Sequence, residues 1–231
     1  MTRRSEVGLR VTLIQTCLEM AQSGLTFGTS GNASVRLDDE TLLITPTGLP
    51  YASLQPEDIV ALKFGGRYYG RRQPSSEWRF HRDILSSRHE TQAVVHTHSP
   101  FATALACRGS AIPSFHYMVA VAGGADIRCA QYATFGTQAL SEQVLTALSG
   151  RQACLVANHG QIALGSDLSS ALKLAGEVES LASMYWRSQH GGEPDLLDQH
   201  EMQRVIEKFR TYGTEDAADA ELAHAGDRLP A

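Results

Sequence analysis

The sequence predicts an α/β protein in which amphipathic helices alternate with short apolar strands. Several segments carry apolar residues every three to four positions, which is the periodicity of a helix packed on one face. Other segments are short apolar runs bounded by turn-forming residues, which is typical of buried strands. The chain has 231 residues, 42% of them hydrophobic, so it can bury a sizeable core. No segment resembles a linker, and we expect a single domain over residues 1–213.

The elements can be assigned in chain order. A helix over residues 5–25 is predicted by the spacing of Val7, Val11, Ile14 and Leu18. The further predictions are strands over 35–37, 41–44 and 59–64, a helix after residue 77, a strand over 93–95, a helix over 99–107, a strand over 127–130, a helix over 137–148, strands over 153–157 and 161–164, and helices from 167 and over 199–209. Residues 214–231 are small, acidic and polar, so we expect a mobile tail.

Charge and composition argue against several classes of protein. The net charge is −5, from 20 basic and 25 acidic residues, and no basic cluster supports nucleic-acid binding. No apolar run reaches the roughly 18 residues of a membrane span, and the N-terminal segment lacks the apolar stretch of a signal peptide. The four cysteines form no C-x-x-C pair. Buried thiols in a reducing cytoplasm are the simplest interpretation.

Histidines at strand ends carry the first chemical signal. His96 and His98 directly follow the apolar strand residues 93–95, and side chains two apart on a strand point to the same face. Taken alone, this pair is equally well explained as polar core or surface residues. His159 ends a second apolar strand, so three imidazoles can converge, and with one carboxylate they match a catalytic divalent-metal site. Zinc is the default ion, although cobalt or manganese accepts the same ligands. The other histidines are interpreted as structural or solvated: His81, His89, His116, His190, His200 and His224.

Small polar residues form the second signal. Residues 28–32 and 45–48 are explained locally as turns, but they also offer backbone N–H groups and hydroxyls that can hold an oxyanion such as phosphate. Two serines precede Glu77 where a loop turns into a helix. The helix dipole alone favours a glutamate there, and the serines can act as caps. All these segments lie at predicted strand edges, where functional sites collect.

Five motifs together resemble the class II aldolase and ribulose-phosphate epimerase family. They are GTSGN at 28–32, TPTG at 45–48, SSE at 75–77, HTH at 96–98 and NHG at 158–160. Their number and order are far more specific than any one of them, and the resemblance extends from the first helix to Gly213. It implies a zinc-dependent lyase with a three-layer α/β/α fold around a largely antiparallel sheet. It also implies a homotetramer with active sites at subunit contacts.

The same resemblance assigns roles to individual residues. It implies that His96, His98 and His159 bind the metal, with Glu77 as the fourth ligand of the resting enzyme. It implies a site for the substrate phosphate formed by Gly31, Asn32, Thr47, Gly48, Ser75 and Ser76. Tyr117 matches a tyrosine that reaches the active site of a neighbouring subunit. The aldehyde end of the substrate would be contacted by Phe135 and Tyr212.

The implied reaction is the reversible retro-aldol cleavage of a ketose 1-phosphate. L-fuculose 1-phosphate is the substrate implied most directly, with dihydroxyacetone phosphate and a short aldehyde such as L-lactaldehyde as products. Zinc would stabilise the enediolate as a Lewis acid, Glu77 would act as acid or base at its carbon, and Tyr117 would exchange a proton with the C4 oxygen.

Alternative substrates and functions remain at this point. Within the aldolases, 5-deoxyribulose 1-phosphate or 5-methylthioribulose 1-phosphate is the alternative substrate, because a few residues set that choice. A pentulose-phosphate 4-epimerase and a methylthioribulose-phosphate dehydratase are further possibilities within the fold. An interaction domain like the adducin head would lack metal ligands or the catalytic acid. The candidate ligands and Tyr117 are all present in this chain.

Overall fold

An eight-stranded sheet organises the protein, which a computed structural model describes over residues 5–211. The strands are β1 Asn32–Arg36, β2 Thr41–Ile44, β3 Val60–Lys63, β4 Tyr68–Tyr69, β5 Ala93–Thr97, β6 Cys129–Ala130, β7 Ala153–Val156 and β8 Gly160–Gly165. The helices are α1 Glu6–Gln22, α2 Trp78–Ser87, α3 Pro100–Cys107, α4 Gln138–Ala147, α5 Leu168–Ser188 and α6 Gln199–Thr211. The strand order is β4-β3-β2-β1-β5-β8-β7-β6. Neighbouring strands are antiparallel except β6 and β7, so the sheet is largely antiparallel, as expected.

Each face of the sheet has its own hydrophobic core. In the central strand β5, Ala93 and Val95 belong to the core that α1, α3 and α5 cover, whereas Val94 belongs to the core that α2 and α4 cover. This alternation follows from the two-residue period of a strand. Two layers of helices therefore enclose the sheet, which confirms the predicted three-layer α/β/α fold.

Most helices and strands agree with the sequence prediction to within three residues at each end. Helix α1 begins after Ser5, whose side chain accepts a hydrogen bond from the backbone N–H of Gly8, and α5 begins with a capping box at Asp167. Strand β4 was not predicted, because two exposed tyrosines form no apolar run. Strand β1 starts at Asn32 rather than at residue 35, and this difference matters for the site.

The structure also bears on the expectations about the cysteines, a membrane span and the C-terminal tail. The four cysteines are unpaired, but Cys107 is exposed, so the expectation of buried thiols is wrong at that position. Burial raises the pKa of the Cys17 thiol to about 12. Within residues 5–211, no helix has the length and apolar character to cross a membrane. The predicted tail, residues 214–231, lies outside the described residues.

Candidate active site

Two neighbouring strands and one tight turn position the three predicted histidines. His96 lies in β5 and His98 follows it, while His159 lies in the turn between β7 and β8, next to β5 in the sheet. Asn158 adopts the left-handed conformation in this turn, with φ of 55°, which asparagine tolerates better than most residues. A Cβ atom at Gly160 would lie 2.3 Å from the carbonyl oxygen of Thr97. Glycine therefore allows the turn to approach His98 closely.

The ligand atoms of these side chains converge on one point. The Nε2 atoms of His96 and His98 are 3.0 Å apart, and the ligand atoms of the three histidines all lie within 4.8 Å of one another. The Glu77 carboxylate lies 3.3 Å from His96 Nε2 through Oε2, and 3.0 Å from His159 Nε2 through Oε1. Ligands about 2.1 Å from a tetrahedral zinc ion lie roughly 3.4 Å apart. The three shortest distances are close to that spacing, so these side chains are placed where they can share one metal ion.

The hydrogen bonds around the cluster leave lone pairs facing its centre. The Nδ1 atom of His96 lies 2.8 Å from the backbone carbonyl oxygen of Gln161, which can only accept. Nδ1 therefore carries the proton, and in the neutral ring Nε2 presents a lone pair toward His98 and Glu77. Oε1 of Glu77 is buried without a hydrogen-bond partner, and His159 Nε2 lies 3.0 Å from it. A cation between these acceptors satisfies all of them, so the residues fit a divalent metal ion.

The pKa shifts in the cluster also favour the binding of a cation. Burial acts to raise the pKa of Glu77, but its interactions with His96 and His159 outweigh burial and lower that pKa. Burial acts to lower the pKa of His96, and the charge of Glu77 raises it overall. Burial and the two neighbouring imidazoles lower the pKa of His98 to about 4. A buried anion thus needs a cation among the imidazoles, and a metal ion supplies one.

Glu77 points into the cluster because the chain turns into α2 at that residue. It is the residue that precedes the helix, but its side chain makes no capping hydrogen bond. Its backbone N–H donates instead to the hydroxyl of Ser75, and its Oε2 accepts from Asn32 Nδ2 at 2.8 Å. The purely local explanation of Glu77, as a favourable charge at a helix start, therefore does not account for where its side chain lies.

The two polar turns and the serine loop line one cavity beside the histidines. Its volume is about 350 Å³, and its lining includes Glu77, His98 and His159. The six residues predicted to hold phosphate all line it as well: Gly31, Asn32, Thr47, Gly48, Ser75 and Ser76. Over residues 5–211 the lining contains no lysine or arginine. Neutral donors beside a cation site suit an oxyanion that the metal partly neutralises.

Comparison with known proteins accounts for this arrangement. The family model described as "Class II Aldolase and Adducin N-terminal domain" matches residues 11–186. The chain belongs to the class II aldolase family. It is 56% identical over 209 residues to the 5-methylthioribulose-1-phosphate/5-deoxyribulose-1-phosphate aldolase of Rhodospirillum rubrum, covering 90% of this chain and 94% of that one. It is 48% identical over 202 residues to the L-fuculose phosphate aldolase of Escherichia coli K12, covering 87% and 94%.

A solved structure extends the similarity to the fold. The class II aldolase superimposes on an L-fuculose 1-phosphate aldolase with a TM-score of 0.86 and 37% identity, covering 91% of this chain and all of that one. These relatives are named as aldolases, so this chain is an aldolase, a metal-dependent lyase of class II.

Two predicted residues of the class II aldolase lie away from the cavity or outside the description. Tyr117 begins a 3₁₀ segment, is 50% exposed, and lines a separate groove with Met118, Val205 and Phe209. Its predicted role in a neighbouring subunit therefore remains a prediction. Tyr212 lies outside the described residues.

Aromatic side chains flank the cavity of the aldolase. Phe135 lines it as predicted and is 65% exposed, and Tyr132, which was not predicted, lines it as well. The loop that carries both is held against the serine loop, because Arg79 donates to the carbonyl of Gly136. The same loop approaches Ser76 closely, because a Cβ atom at Gly136 would lie 2.8 Å from the carbonyl oxygen of Ser76.

Sequence reasoning missed the residues behind Glu77. Asn32 was predicted in a turn but starts β1, where it pairs with His96 of β5. His81 was interpreted as structural or solvated, and it is fully buried and hydrogen-bonded to Asn32, which agrees with the structural alternative, but its contact behind Glu77 was not predicted. One signal was available, because His81 lies four residues after Glu77 and hence on the same side of α2.

Proposed function

We propose that this aldolase catalyses the reversible cleavage of a ketose 1-phosphate between C3 and C4, giving dihydroxyacetone phosphate and a short aldehyde. The observation that carries the proposal is the single cavity in which a three-histidine, one-carboxylate cluster adjoins a wall of neutral donors. The cluster suits the substrate oxygens where negative charge develops, and the wall suits the phosphate of the same molecule.

One comparison supports a different substrate class from the one that the sequence implied most directly. Identity to the 5-methylthioribulose-1-phosphate/5-deoxyribulose-1-phosphate aldolase is 56%, against 48% to an L-fuculose phosphate aldolase. We therefore propose a 5-deoxy or 5-methylthio pentulose 1-phosphate as the substrate, with L-fuculose 1-phosphate as the second candidate. The exposed aromatic rings of Tyr132 and Phe135 support an aldehyde with an apolar end.

We propose zinc as the metal, held by His96, His98, His159 and, in the resting enzyme, Glu77. Nitrogen and carboxylate ligands at near-tetrahedral spacing support this choice. When bound, a divalent cation supplies a Lewis acid beside the substrate oxygens on which negative charge develops.

The proton transfers are assigned to Glu77 and Tyr117. As the C3–C4 bond breaks, Tyr117 removes the proton of the C4 hydroxyl, the O–H electron pair forms the aldehyde carbonyl, and the C3–C4 pair stays on C3. Glu77, which takes up a proton from solvent after it leaves the cation, then donates that proton to C3, which completes dihydroxyacetone phosphate, and Tyr117 releases the proton that it gained to solvent. A carboxyl released from its cation in a dry pocket has a raised pKa, which suits it to donate.

We further propose a homotetramer in which Tyr117 serves the site of a neighbouring copy. Its half-exposed position outside the cavity of its own chain supports this assignment. A cytoplasmic location is also proposed, and the four unpaired cysteines support it.

Aldehyde profiling tests the function and its substrate together. Zinc-loaded protein is supplied with dihydroxyacetone phosphate and, separately, acetaldehyde, (methylthio)acetaldehyde, L-lactaldehyde or glycolaldehyde, and condensation rates are compared. We expect the first two to react fastest. A clear preference for L-lactaldehyde would reverse the substrate order, and no condensation with any aldehyde would contradict the proposed function.

Metal analysis provides the control against a non-catalytic interaction domain. We expect about one metal ion per chain in protein purified without chelator, as for a catalytic site. A value well below one that added zinc does not restore would favour an adducin-like role instead.

A further inference from the structure

A line of buried hydrogen bonds runs behind the Glu77 carboxylate. Ser34 Oγ lies 2.7 Å from His81 Nδ1, His81 Nε2 lies 2.5 Å from Asn32 Oδ1, and Asn32 Nδ2 lies 2.8 Å from Glu77 Oε2. Ser34 and His81 are fully buried, and Asn32 is 5% exposed. Burying three polar side chains is unfavourable unless each finds its partners. This arrangement satisfies them in one continuous line.

The carboxylate sets the direction of every hydrogen bond in the line. An ionised Glu77 only accepts, so Asn32 must present its Nδ2 group to it and its Oδ1 atom to His81. Oδ1 only accepts, so His81 carries its proton on Nε2. The bare Nδ1 of a neutral His81 then accepts the hydroxyl proton of Ser34. Burial favours that neutral form, since it lowers the pKa of His81 to about 3.

We propose that His81 is a positioning residue that locks the amide of Asn32 in its active orientation. This inference rests on the proposed function, in which Asn32 contacts the substrate phosphate. An amide has nearly the same shape after a 180° flip, so packing alone does not select one orientation. Glu77 favours one orientation, and the Nε2–H group of His81 reinforces it, because this group donates to Oδ1 and accepts no hydrogen bond from a flipped Nδ2.

A flipped Asn32 would harm both of its contacts. Its Oδ1 atom would face the Glu77 carboxylate, and an oxygen would also replace an N–H group on the cavity side. In the observed orientation Glu77 uses one of the two Nδ2 protons. Within the described residues the second has no hydrogen-bond partner, and Asn32 lines the cavity, so that proton serves the phosphate.

The His81 ring is itself held rigidly. It stacks on Phe80 with a centroid distance of 4.6 Å and an interplanar angle of 28°. It lies in the first turn of α2, and Glu77 directly precedes that helix, so a short stretch of chain connects the carboxylate to His81. The backbone of Asn32 is held by its strand pairing opposite His96.

Three substitutions of His81 test the proposal. A glutamine amide reaches about as far as Nε2 of histidine, whereas an asparagine amide reaches only as far as Nδ1. We expect His81→Leu and His81→Asn to lower kcat and raise KM, with kcat/KM falling by about 30-fold, the effect of leaving a buried amide oxygen unpaired. His81→Gln should recover kcat/KM to within about threefold of wild type, because it restores the donor. Equal activity of the glutamine and asparagine variants would overturn the proposal.

A double-mutant cycle separates positioning from a merely structural role. If His81 acts through Asn32, His81→Leu should lower kcat/KM no further in an Asn32→Ala background. A full additional loss in that background would overturn the proposal. If His81→Leu does not fold, the same cycle with His81→Asn answers the question.

Binding of inorganic phosphate to the zinc-loaded protein, measured by calorimetry, gives a readout without turnover. We expect His81→Asn to weaken phosphate binding about tenfold and His81→Gln to leave it near wild type, with equal zinc content in both. Unchanged phosphate affinity in His81→Asn would overturn the inference. If the wild type binds phosphate but condenses no aldehyde, the proposed function fails while this comparison still tests His81.

Discussion

Two buried carboxylates, Glu77 and Asp58, differ in whether the chain itself provides positively charged partners for them. Asp58 is 3% exposed, and its Oδ1 accepts from Arg71 Nε at 2.9 Å and from Arg72 Nε at 2.8 Å. Its Oδ2 accepts from the backbone N–H of Gln55 at 2.9 Å. The hydrogen bond from Arg72 leads the interactions that hold the pKa of Asp58 well below its usual range. The chain itself provides every cation that this carboxylate needs.

Glu77 is equally buried, at 6% exposure, but the chain provides it with no lysine or arginine partner within residues 5–211. Its neighbours are the imidazoles of His96 and His159 and the amide of Asn32, and its Oε1 has no hydrogen bond. Asp58, which is neutralised by arginines of its own chain, is a structural carboxylate. Glu77 lacks such a partner and lies beside a cavity, and this arrangement favours the binding of an external cation and a substrate there.

The largest effect expected from this comparison is on catalysis. Glu77→Gln keeps the size of the side chain but removes its proton-transfer function, so we expect kcat to fall by about 1000-fold. The three histidines remain, and some zinc should stay bound. Steady-state kinetics and metal analysis on the same preparation check both expectations.

Asp58→Asn is the matched control, because it makes the same chemical change at the other buried carboxylate. We expect its kcat per folded molecule to stay within about twofold of wild type, since Asp58 is not part of the cavity lining. Near-normal turnover in Glu77→Gln, or comparable losses in both variants, would break the distinction between the two carboxylates.

Metal removal should have the next largest effect, and it should affect the Glu77 site but not the Asp58 site. Treatment with a strong chelator should abolish activity and lower the free energy of unfolding by about 4 kcal/mol relative to protein in zinc at about 1000 times its dissociation constant. Added zinc should restore both, as measured by activity and urea denaturation at fixed protein concentration. The Asp58→Asn variant should respond to zinc as wild type does, because in wild type the arginines, and not the metal, neutralise the Asp58 carboxylate.

The difference between these regions also explains what the sequence could predict. His96 and His98 were predicted from strand alternation and His159 from its place after a second apolar strand, because both signals are local. Glu77 needed the family resemblance, since a glutamate before a helix is explained by the helix dipole alone. The three-layer fold likewise came from the resemblance, because strand order depends on long-range pairing.

Other contacts left no local signal. Asp58 contacts arginines that follow it by 13 and 14 residues, beyond strands β3 and β4, so no local periodicity links them. Asn32 was assigned to a turn because asparagine favours turns, and only its buried partners explain its place in a strand. The proposed role of Tyr117 in a neighbouring copy depends on contacts between chains, and the sequence of one chain carries no local signal for them.

A smaller effect is expected on stability. Asp58→Asn leaves an amide facing two arginines, and we expect a loss of about 2 kcal/mol in the free energy of unfolding at pH 7. The loss is not larger because Arg71 and Arg72 are 52% and 46% exposed, so solvent screens part of the interaction. Glu40→Gln is the control, since the Lys63–Glu40 pair is exposed and should contribute less than about 0.5 kcal/mol. Equal losses in the two variants would contradict the structural role of Asp58.

The pH dependence of that loss is the finest test. The pKa of Asp58 is lowered in the folded protein, so its carboxylate stabilises the fold fully above its unfolded pKa of about 4. That stabilisation declines as the pH falls toward the folded pKa. The gap in unfolding free energy between wild type and Asp58→Asn should therefore be constant from pH 7 to 5 and shrink by about 1 kcal/mol at pH 3. Urea denaturation at each pH measures the gap, and a gap that persists unchanged at pH 3 would show that the Asp58 charge does not stabilise this region.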